Sequence, residues 1–471
     1  MMKSKTIDLQ VQNKKLEKLK KLAAKPKSKM YFPFLMLVII CVHMLDEICG
    51  IINNDMQSLV VSELFQVGGI EYNQALSKYG ILTSVCGAFT IIAPFYKTLA
   101  DRYGRKVFFF TNTVGMAVGL MLCWWSPNMV VYCIGYGMMG FFISHDMQVV
   151  YIYEVAPKDK RAQFYGITKC IGTLGMAAVP LLRDTMMGAN GETWRRVYLI
   201  PFIFAFAVAI VIFFFARESD VFLNKRIELM ERARRGIAQQ EKEEAEKEEK
   251  IGVFPAVKLI FKDKDLRWLV ISHTLYGLGF TSISLQYESI MRQDYGMPHT
   301  DVTKALYFFP FVFAFVILFF GFIGDKFGRK KVVAINGIIT IISLILFNVT
   351  AYMCYDSPSA KAISLAPYLV GLFCALSRGN YYNGYDYIAM MAAEKAPTHI
   401  RNSVLGAENL IAYLGTGIGM VLLSVLNQFF EQTGIVCIAI ALPPLAVSMV
   451  TLILKVKDSK GSDLEKVSFS A

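Results

Sequence analysis

Apolar residues are grouped in twelve blocks along the chain, and polar segments separate these blocks. A helix needs about 20 apolar residues to cross a hydrocarbon core about 30 Å thick, and isolated strands would leave backbone groups unpaired in lipid. The pattern therefore predicts an all-α membrane protein with twelve transmembrane helices. We place them at 32–54, 75–98, 107–126, 129–153, 163–187, 197–216, 266–290, 303–324, 332–354, 364–392, 403–427 and 433–455.

One longer polar segment, residues 217–264, divides the twelve blocks into two sets of six. Its mixed charge and helix-forming composition predict cytoplasmic helices that join the two sets. We therefore expect a cytoplasmic basic tail at 1–31, a six-helix bundle at 32–216, the cytoplasmic helical linker at 217–264, a second six-helix bundle at 265–455 and a cytoplasmic tail at 456–471.

Two charged sequence phrases occur once in each half of the chain. Residues 154–166 and 394–406 both fit E-x-A-P-x-x-x-R-x-x-x-x-G, and DRYGRK from Asp101 corresponds to DKFGRK from Asp325. Internal repetition of this kind indicates two related bundles. Two related bundles around a central site are typical of solute carriers.

Composition and charge agree with a membrane protein and indicate its orientation. A mean hydropathy of +0.44 and a charged fraction of 18% exclude a soluble globular protein. The basic residues behind the net charge of +12 are concentrated in the N-terminal tail and in the loops after the second, fourth, eighth and tenth spans. The positive-inside rule then places both termini in the cytoplasm of a multi-pass protein of the cell membrane. Arg195 and Arg196, before the sixth span, depart from this pattern.

The repeated loop phrase resembles the motif G-x-x-x-D-[RK]-x-G-[RK]-[RK] of the major facilitator superfamily. The second copy matches throughout from Gly321, whereas Lys97 replaces the leading glycine in the first copy. The two E-x-x-P-x-x-x-R phrases, and Glu218-Ser219 followed by Leu223, resemble the branch that contains sugar porters and organic-ion carriers. The Q-Q-x-S-G and P-E-T-K-G sequences of sugar porters do not occur, so the resemblance is to the branch rather than to sugar porters in particular.

The resemblance implies two six-helix bundles related by a pseudo-twofold axis, which work by alternating access. Acidic and basic side chains of the repeated phrases can pair across the two halves when that side is closed and separate when it opens. If these loop charges served only to set the orientation in the membrane, that role would explain the basic residues but not the repeated acidic ones. The predicted gating residues are Asp101, Arg102, Arg105, Glu154, Arg161, Asp325, Arg329, Glu394 and Arg401.

Ionisable residues also lie inside the predicted spans, where charge is costly and often functional. Asp146 and Asp386 each lie eight residues before a repeated glutamate. Asp146 lies eleven residues, or about 16 Å of helix, before Pro157, which places it close to the bilayer midplane where carriers bind their solutes. The alternative is a structural carboxylate bonded to Tyr151, Tyr385 or His145.

The first span contains Asp46 and Glu47. Symporters of the resembled family carry a first-span aspartate that is associated with proton coupling, and Asp46 is similar to it. A desolvated carboxylate can exchange a proton near neutral pH, and a neighbouring histidine can share that proton; a polar, water-lined helix is the alternative. The predicted proton-coupling residues are Asp46, Glu47, Asp146 and His145.

Lys169 occupies the fifth-span position at which sugar porters carry a sugar-binding glutamine, and Asn409 is its counterpart in the second half. A lysine there either binds a carboxylate solute or neutralises Asp46, Glu47 or Asp146. The tenth span, SRGNYYNGYDY, carries aromatic and hydrogen-bonding groups that suit a cavity better than lipid. The predicted solute-binding residues are Lys169, Asp386, Asn409, Asn380, Tyr382, Asn383, Gln286 and Tyr287.

Together these features predict a secondary active transporter that moves a small polar organic solute, an organic acid or a sugar, by proton symport. Export of amphipathic drugs or organic cations, and a non-transporting nutrient receptor on the same fold, are the alternatives. No H-E-x-x-H, G-x-S-x-G or P-loop sequence indicates an enzyme, and the cysteines lack paired spacing. We expect a monomer in a lipid bilayer, with the solute and protons as its partners and no cofactor, metal or nucleic acid.

Overall fold

The computed structural model describes residues 16–24, 26, 28–93, 96, 103–143, 151–152, 154–157, 161–188, 191–234, 253–357, 364–396 and 401–458. The regular structure within these residues is helical, and no strand occurs among them. Among the predicted site residues, Asp101, Arg102, His145 and Asp146 lie outside the described part, as do the side chains of Arg161, Asp325 and Arg401.

Within the described residues, the first half of the chain contains a helical element for each of its six predicted spans. The side chain of Asn128 accepts the backbone N–H groups of Val130 and Val131 at 3.1 Å and so caps the fourth helix. The elements are α1 (Tyr31–Asp55), α2 (Tyr72–Gly87), α3 (Arg105–Trp125), α4 (Met129–Phe142), α5 (Arg161–Leu174, continued by Ala178–Met186) and α6 (Arg196–Phe215).

Two linker helices and six further elements follow. The linker contributes α7 (Asp220–Arg234) and α8 (Val253–Lys262). The second half contains α9 (Lys264–Leu278, continued by Phe280–Ser284 and Tyr287–Ser289), α10 (His299–Leu306, continued by Phe308–Phe327), α11 (Arg329–Ala351), α12 (Ala366–Lys395), α13 (Arg401–Leu426) and α14 (Thr433–Lys455).

Each of the twelve predicted spans contains helix in the described part of the chain. Seven of the helices described are long and apolar enough by themselves to cross a membrane, and α4 is a shorter apolar helix. The other spans are interrupted or polar for identifiable reasons. Breaks at Gly279 and Gln286 divide α9, and α12 carries Arg378 and Asp386 in its middle.

Buried apolar side chains form one large cluster in each half. The first cluster contains side chains of α1 to α6 together with Phe309 and Phe313 of α10. The second is formed by α9 to α14. The helices of each half therefore pack mainly on one another, and polar groups are available for the surface between the halves.

The loops that precede α3 and α11 have the same construction. Gly104 and Gly328 have φ angles of +110° and +99°, which favour glycine over other residues. The Glu218 carboxylate accepts the first N–H of α3 at 2.8 Å, and the Asp458 carboxylate accepts the first N–H of α11 at 3.2 Å. An acidic residue after the sixth or the twelfth span thus caps the N-terminus of the third helix of its own half.

Candidate functional site

Four charged side chains are buried between the two halves, at the end of the bundle opposite the repeated loop phrases. They are Asp55 of α1, Arg183 of α5, Glu288 of α9 and Arg378 of α12, and we call them the buried charge cluster. None is more than 2% exposed. Two arginines balance two carboxylates, which lowers the cost of removing these charges from water.

Glu288 joins the second half to the first through several contacts. The Ser58 backbone N–H donates to one carboxylate oxygen at 2.6 Å, and the Ser58 hydroxyl donates to the other at 2.8 Å. Nη2 of Arg183 lies 3.6 Å from the carboxylate. Arg183 also donates from Nε to the Thr303 hydroxyl at 3.3 Å and from Nη1 to the Asp55 carbonyl oxygen.

Tyr287 and Arg378 complete the buried charge cluster. The Tyr287 hydroxyl donates to the Asp55 carboxylate. The Arg378 guanidinium carbon lies 3.6 Å from the ring centroids of both Tyr287 and Phe309, a cation–π arrangement on two faces. Tyr287 was predicted to bind solute; in this structure its hydroxyl and its ring are both engaged within the cluster.

Uncharged hydrogen bonds join the halves at the same end. They connect the start of α2 in the first half with α9 and with the end of α13 in the second. The pairs are Tyr72 and Ser289 at 2.6 Å, Asn73 and the Phe430 and Glu431 carbonyl oxygens at 3.1 and 2.8 Å, and Ser77 and the Ser424 carbonyl oxygen at 2.7 Å. This end of the bundle is therefore closed, and we call it the Glu288 end.

At the opposite end the repeated loop phrases pair within each half. Arg105 lies 3.1 Å from Glu154, and Arg329 lies 3.3 Å from Glu394. The sequence predicts pairing across the halves when this end is closed, and that prediction is not tested by these pairs. Each of the two described pairs joins helices of one half. The two pairs are equivalent in the internal repeat, so the phrases have the same local role in each half.

Three predicted residues interact near the centre of the bundle. Nε2 of His43, on the preceding turn, lies 3.5 Å from the Glu47 carboxylate. Lys169 interacts electrostatically with Glu47 and with Asp386 of the other half. Asp46 has no exposed surface. The lysine therefore lies within electrostatic range of a carboxylate from each half.

A polar cavity lies between the halves, next to the buried charge cluster. Asn54 and Gln57 line it from the first half, and Thr281, Gln286 and Asn427 line it from the second. Buried side-chain oxygen atoms of Gln57, Thr281, Gln286 and Asn427 have no hydrogen-bond partner in the protein. Buried polar atoms are normally paired. The cavity has a volume of about 20 Å³ here, enough for a water molecule, so a solute reaches these groups only when the halves separate at this point.

The remaining predicted solute-binding residues occupy different environments. Asn409 and Asp386 are exposed, whereas Asn380 and Asn383 are buried. The Asn380 amide donates to the Leu376 carbonyl oxygen of its own helix at 2.8 Å. The Tyr382 ring packs edge-on against Phe280 at a centroid distance of 5.6 Å.

Sequence reasoning did not single out Arg183, Gln57, Thr281 or Asn427. Arg183 interrupts an apolar block, which was a usable signal because charge inside a span is rare. The three neutral side chains gave no such signal, because polar uncharged residues are common near the ends of spans. Arg195 departed from the positive-inside rule in the sequence, and in the structure it forms an ion pair with Glu63.

Comparison with known protein families decides the identity of this fold. The family model of the Major Facilitator Superfamily matches residues 36–420 and, in a second match, residues 269–468. The chain belongs to the Major Facilitator Superfamily. It is therefore a multi-pass membrane transporter rather than an enzyme, and the predicted family and fold class are confirmed.

Solved structures with the same fold include members of the Major Facilitator Superfamily that carry sugars. The inward open xylose transporter XylE from E. coli aligns with a TM-score of 0.63 at 16% identity, over 93% of this chain and 99% of XylE. A partially occluded inward open form of XylE aligns with a TM-score of 0.66 at 14% identity, over 92% and 99% of the two chains. At these identities the similarity concerns the fold.

Curated relatives belong to more than one kind of transporter. Multidrug resistance protein MdtG of Salmonella paratyphi C is 29% identical over 163 residues, which cover 34% of this chain and only 39% of that protein. Glucose transporter GlcP of Staphylococcus epidermidis is 21% identical over 381 residues, or 79% of this chain and 83% of GlcP. The match to GlcP extends over both halves of this Major Facilitator Superfamily protein.

Proposed function

We propose that the protein is a secondary active transporter that moves a small, neutral, polyhydroxylated solute across the membrane by alternating access. The observation that carries the proposal is the polar cavity between the halves. Four buried oxygen atoms without partners line it, and all belong to amide or hydroxyl groups. Such groups recognise hydroxyl-rich molecules, because each solute hydroxyl can both donate and accept a hydrogen bond.

A neutral solute is favoured over an organic acid because of the charges around Lys169. An anion would need a free positive charge, but Lys169 interacts with both Glu47 and Asp386. Neutralisation of carboxylates, one of the two roles considered for this lysine, therefore agrees better with the structure. The similarity to the xylose transporter XylE and to the glucose transporter GlcP supports the same substrate class.

Proton symport is the coupling mode that we propose. Glu47 and Asp386 carry one more negative charge than Lys169 compensates, and His43 lies beside Glu47. A bound proton would balance this central charge, and its release would restore the excess. The first-span candidates Asp46 and Glu47, with Asp146 and His145 of the fourth span, remain the proposed coupling residues, and Asp386 joins them as their partner in the second half.

We further propose that the Glu288 end faces outward and that both termini are cytoplasmic, in the cell membrane. The basic loops support this orientation through the positive-inside rule. Asp386 is exposed although it lies about 12 Å along α12 from Arg378. The structure would then be an inward-facing state, closed at the outer side by the buried charge cluster.

Export of an organic cation is the second candidate. It is favoured by the excess of central carboxylate over lysine and by the partial match to MdtG. Cations would then replace protons at Glu47 and Asp386. A comparison of the transport of a lipophilic cation with the transport of a neutral sugar distinguishes the two functions.

Uptake into proteoliposomes tests the proposed function. We expect D-glucose or D-xylose to accumulate when an inward-directed pH gradient is imposed, and benzoate and tetraphenylphosphonium not to be carried. Gln286→Ala should weaken sugar uptake about 5- to 30-fold, the effect of losing a hydrogen bond worth about 1–2 kcal/mol in a dry site. Ser448→Ala, a buried change outside the cavity, is the control.

Three results would contradict the proposal. Carriage of benzoate alone would identify an organic-acid carrier, and extrusion of tetraphenylphosphonium would identify a cation exporter. Sugar binding without flux would identify a receptor.

A further inference from the structure

A second ionisable pair lies wholly inside the second half. Nδ1 of His273 on α9 is in direct contact with a carboxylate oxygen of Glu408 on α13. Both side chains have no exposed surface. This pair is separate from the first-span carboxylates and from the buried charge cluster, and the proposed function assigns it no role.

Close packing of α9 against α13 holds the two side chains together. A Cβ atom at Gly415 would overlap the Thr274 carbonyl oxygen, and one at Gly419 would overlap the Leu278 carbonyl oxygen. The two helix backbones therefore touch about two and three turns beyond Glu408 along α13. Because these helices cannot separate locally without losing that contact, His273 and Glu408 remain adjacent whichever protonation state they adopt.

Each member of the pair keeps one buried polar atom without a hydrogen-bond partner. These atoms are Nε2 of His273 and the second carboxylate oxygen of Glu408. A structural pair would normally be satisfied on both sides. Here the imidazole has a second nitrogen, and the carboxylate a second oxygen, at which a proton can be gained or lost.

The neighbouring helices place few other charges against the pair. On α12, the Tyr385 ring centroid lies 4.1 Å from that of His273, and Asp386 interacts electrostatically with His273. Tyr413 on α13 is close to Tyr385. The second linker helix, α8, packs through Ala256 and Ile260, and α14 meets α9 through the hydrogen bond between Ser448 and Ser272.

We propose that His273 and Glu408 form a second proton-binding site, located in the second half and near Asp386. With one proton bound, the pair has no net charge, and burial favours its neutral form, a carboxylic acid beside a neutral imidazole. Loss of that proton leaves a neutral imidazole and a buried carboxylate, a net charge of −1 that the surroundings disfavour. Asp386 interacts electrostatically with His273 and is exposed, so we assign the proton's route to that side.

Use of this proton in transport rests on the proposed function, but its binding can be measured without any solute. The experiment is an infrared titration of the purified full-length chain in detergent micelles, in which the proton is the probe. Wild type should show a carboxylic acid band that disappears in Glu408→Gln. His273→Gln should move the midpoint of that band by at least one pH unit, a tenfold change in proton affinity.

Controls separate proton binding from damage to the fold. Ser448→Ala disrupts the α9–α14 contact without removing a titratable group and should leave the band unchanged. Glu408→Asp keeps a carboxyl group and should titrate with a displaced midpoint, so the site remains testable if Glu408→Gln does not fold. A wild-type spectrum reproduced by Glu408→Gln, or a midpoint unaffected by His273→Gln, would overturn the proposal.

Transport measurements distinguish this proposal from the proposed function. If D-glucose and D-xylose are both excluded while the titration behaves as expected, the substrate class is wrong and the proton site stands. If sugars accumulate under a pH gradient while Glu408→Gln leaves the titration unchanged, the transporter is confirmed and the second proton site is wrong.

Discussion

Arg183 joins the buried charge cluster across the two halves and also within its own half. It reaches Glu288, the Thr303 hydroxyl and the Asp55 carbonyl oxygen, and it is 1% exposed. Removal of one partner from a buried ion pair costs about 3–5 kcal/mol, because the other charge stays buried without compensation. The closed state of the Glu288 end therefore depends strongly on this single residue.

We predict that Arg183→Ala destabilises the closed Glu288 end by about 3–5 kcal/mol. The matched control is Arg195→Ala, which removes an exposed pair with Glu63 that is worth about 0–1 kcal/mol. Thermal unfolding in detergent should show a large decrease in the unfolding temperature for Arg183→Ala and a small decrease for Arg195→Ala. Arg183→Gln combined with Glu288→Gln should recover part of the loss. Equal unfolding temperatures for Arg183→Ala and Arg195→Ala would contradict the assignment.

The sequence identified charged residues but not their partners. Asp386, Lys169 and Glu47 were predicted separately, and the structure shows that they interact. Arg183 was missed, and Tyr287 was assigned to the solute although its hydroxyl binds Asp55. Periodicity shows which residues lie in a span, but the partner of a side chain depends on the rotation of each helix in the bundle.

At the scale of helices, the loops before α3 and α11 show how the internal repeat is built. Each turn needs a glycine with positive φ, and each cap needs a carboxylate that approaches that glycine closely. A Cβ atom at Gly328 would lie within contact distance of the Asp458 carboxylate. The repeated phrase therefore fixes the start of a helix as well as supplying charge.

We predict that Gly328→Ala destabilises the protein by about 1–3 kcal/mol, because a side chain is strained at this φ angle and displaces the Asp458 cap. Gly321→Ala is a close control, since it lies in the same motif and an added Cβ meets nothing within 4 Å. Helix propensity makes that second change neutral or stabilising by up to about 1 kcal/mol. Chemical unfolding in mild detergent gives the free energy of unfolding of both variants. A larger decrease for Gly321→Ala than for Gly328→Ala would exclude the explanation by backbone strain and loss of the cap.

The elements were predicted better than their interruptions. Apolar block length was sufficient to locate all twelve spans, because lipid imposes one length on every span. The breaks in α9 at Gly279 and Gln286 were not predicted. They matter because they bring Tyr287 and Glu288 towards the first half, and backbone irregularity is tolerated in a membrane only where it faces protein or a cavity.

At the scale of the whole molecule, the two ends of the bundle are held by interactions of different strength. The Glu288 end has buried, charge-balanced contacts between the halves, whereas the described loop pairs at the other end connect helices within one half. Opening of the Glu288 end must break or hydrate the buried cluster. A second closed arrangement at the loop end is therefore required to offset that cost, as in other two-state transitions.

A covalent lock across the Glu288 end tests whether transport requires this opening. An ideal Cβ atom at Gly80 lies 3.7 Å from Cβ of Ser424, within the separation of about 3.5–4.5 Å that a disulfide requires. We predict that the double variant Gly80→Cys with Ser424→Cys forms this crosslink on oxidation and stops D-glucose or D-xylose flux. Reduction should restore the flux.

A second readout does not depend on the identity of the solute. Asn409 is exposed, and the proposed function places it in the central region that is open to the loop side, so a cysteine placed there should still react with a bulky maleimide in the locked protein. Gly80→Cys alone serves as the control for the native cysteines. Full sugar flux through a completely crosslinked protein would mean that the Glu288 end does not open during transport. Loss of labelling at position 409 would mean that the lock does not hold the conformation described here, because in that conformation the loop side gives access to the centre of the bundle.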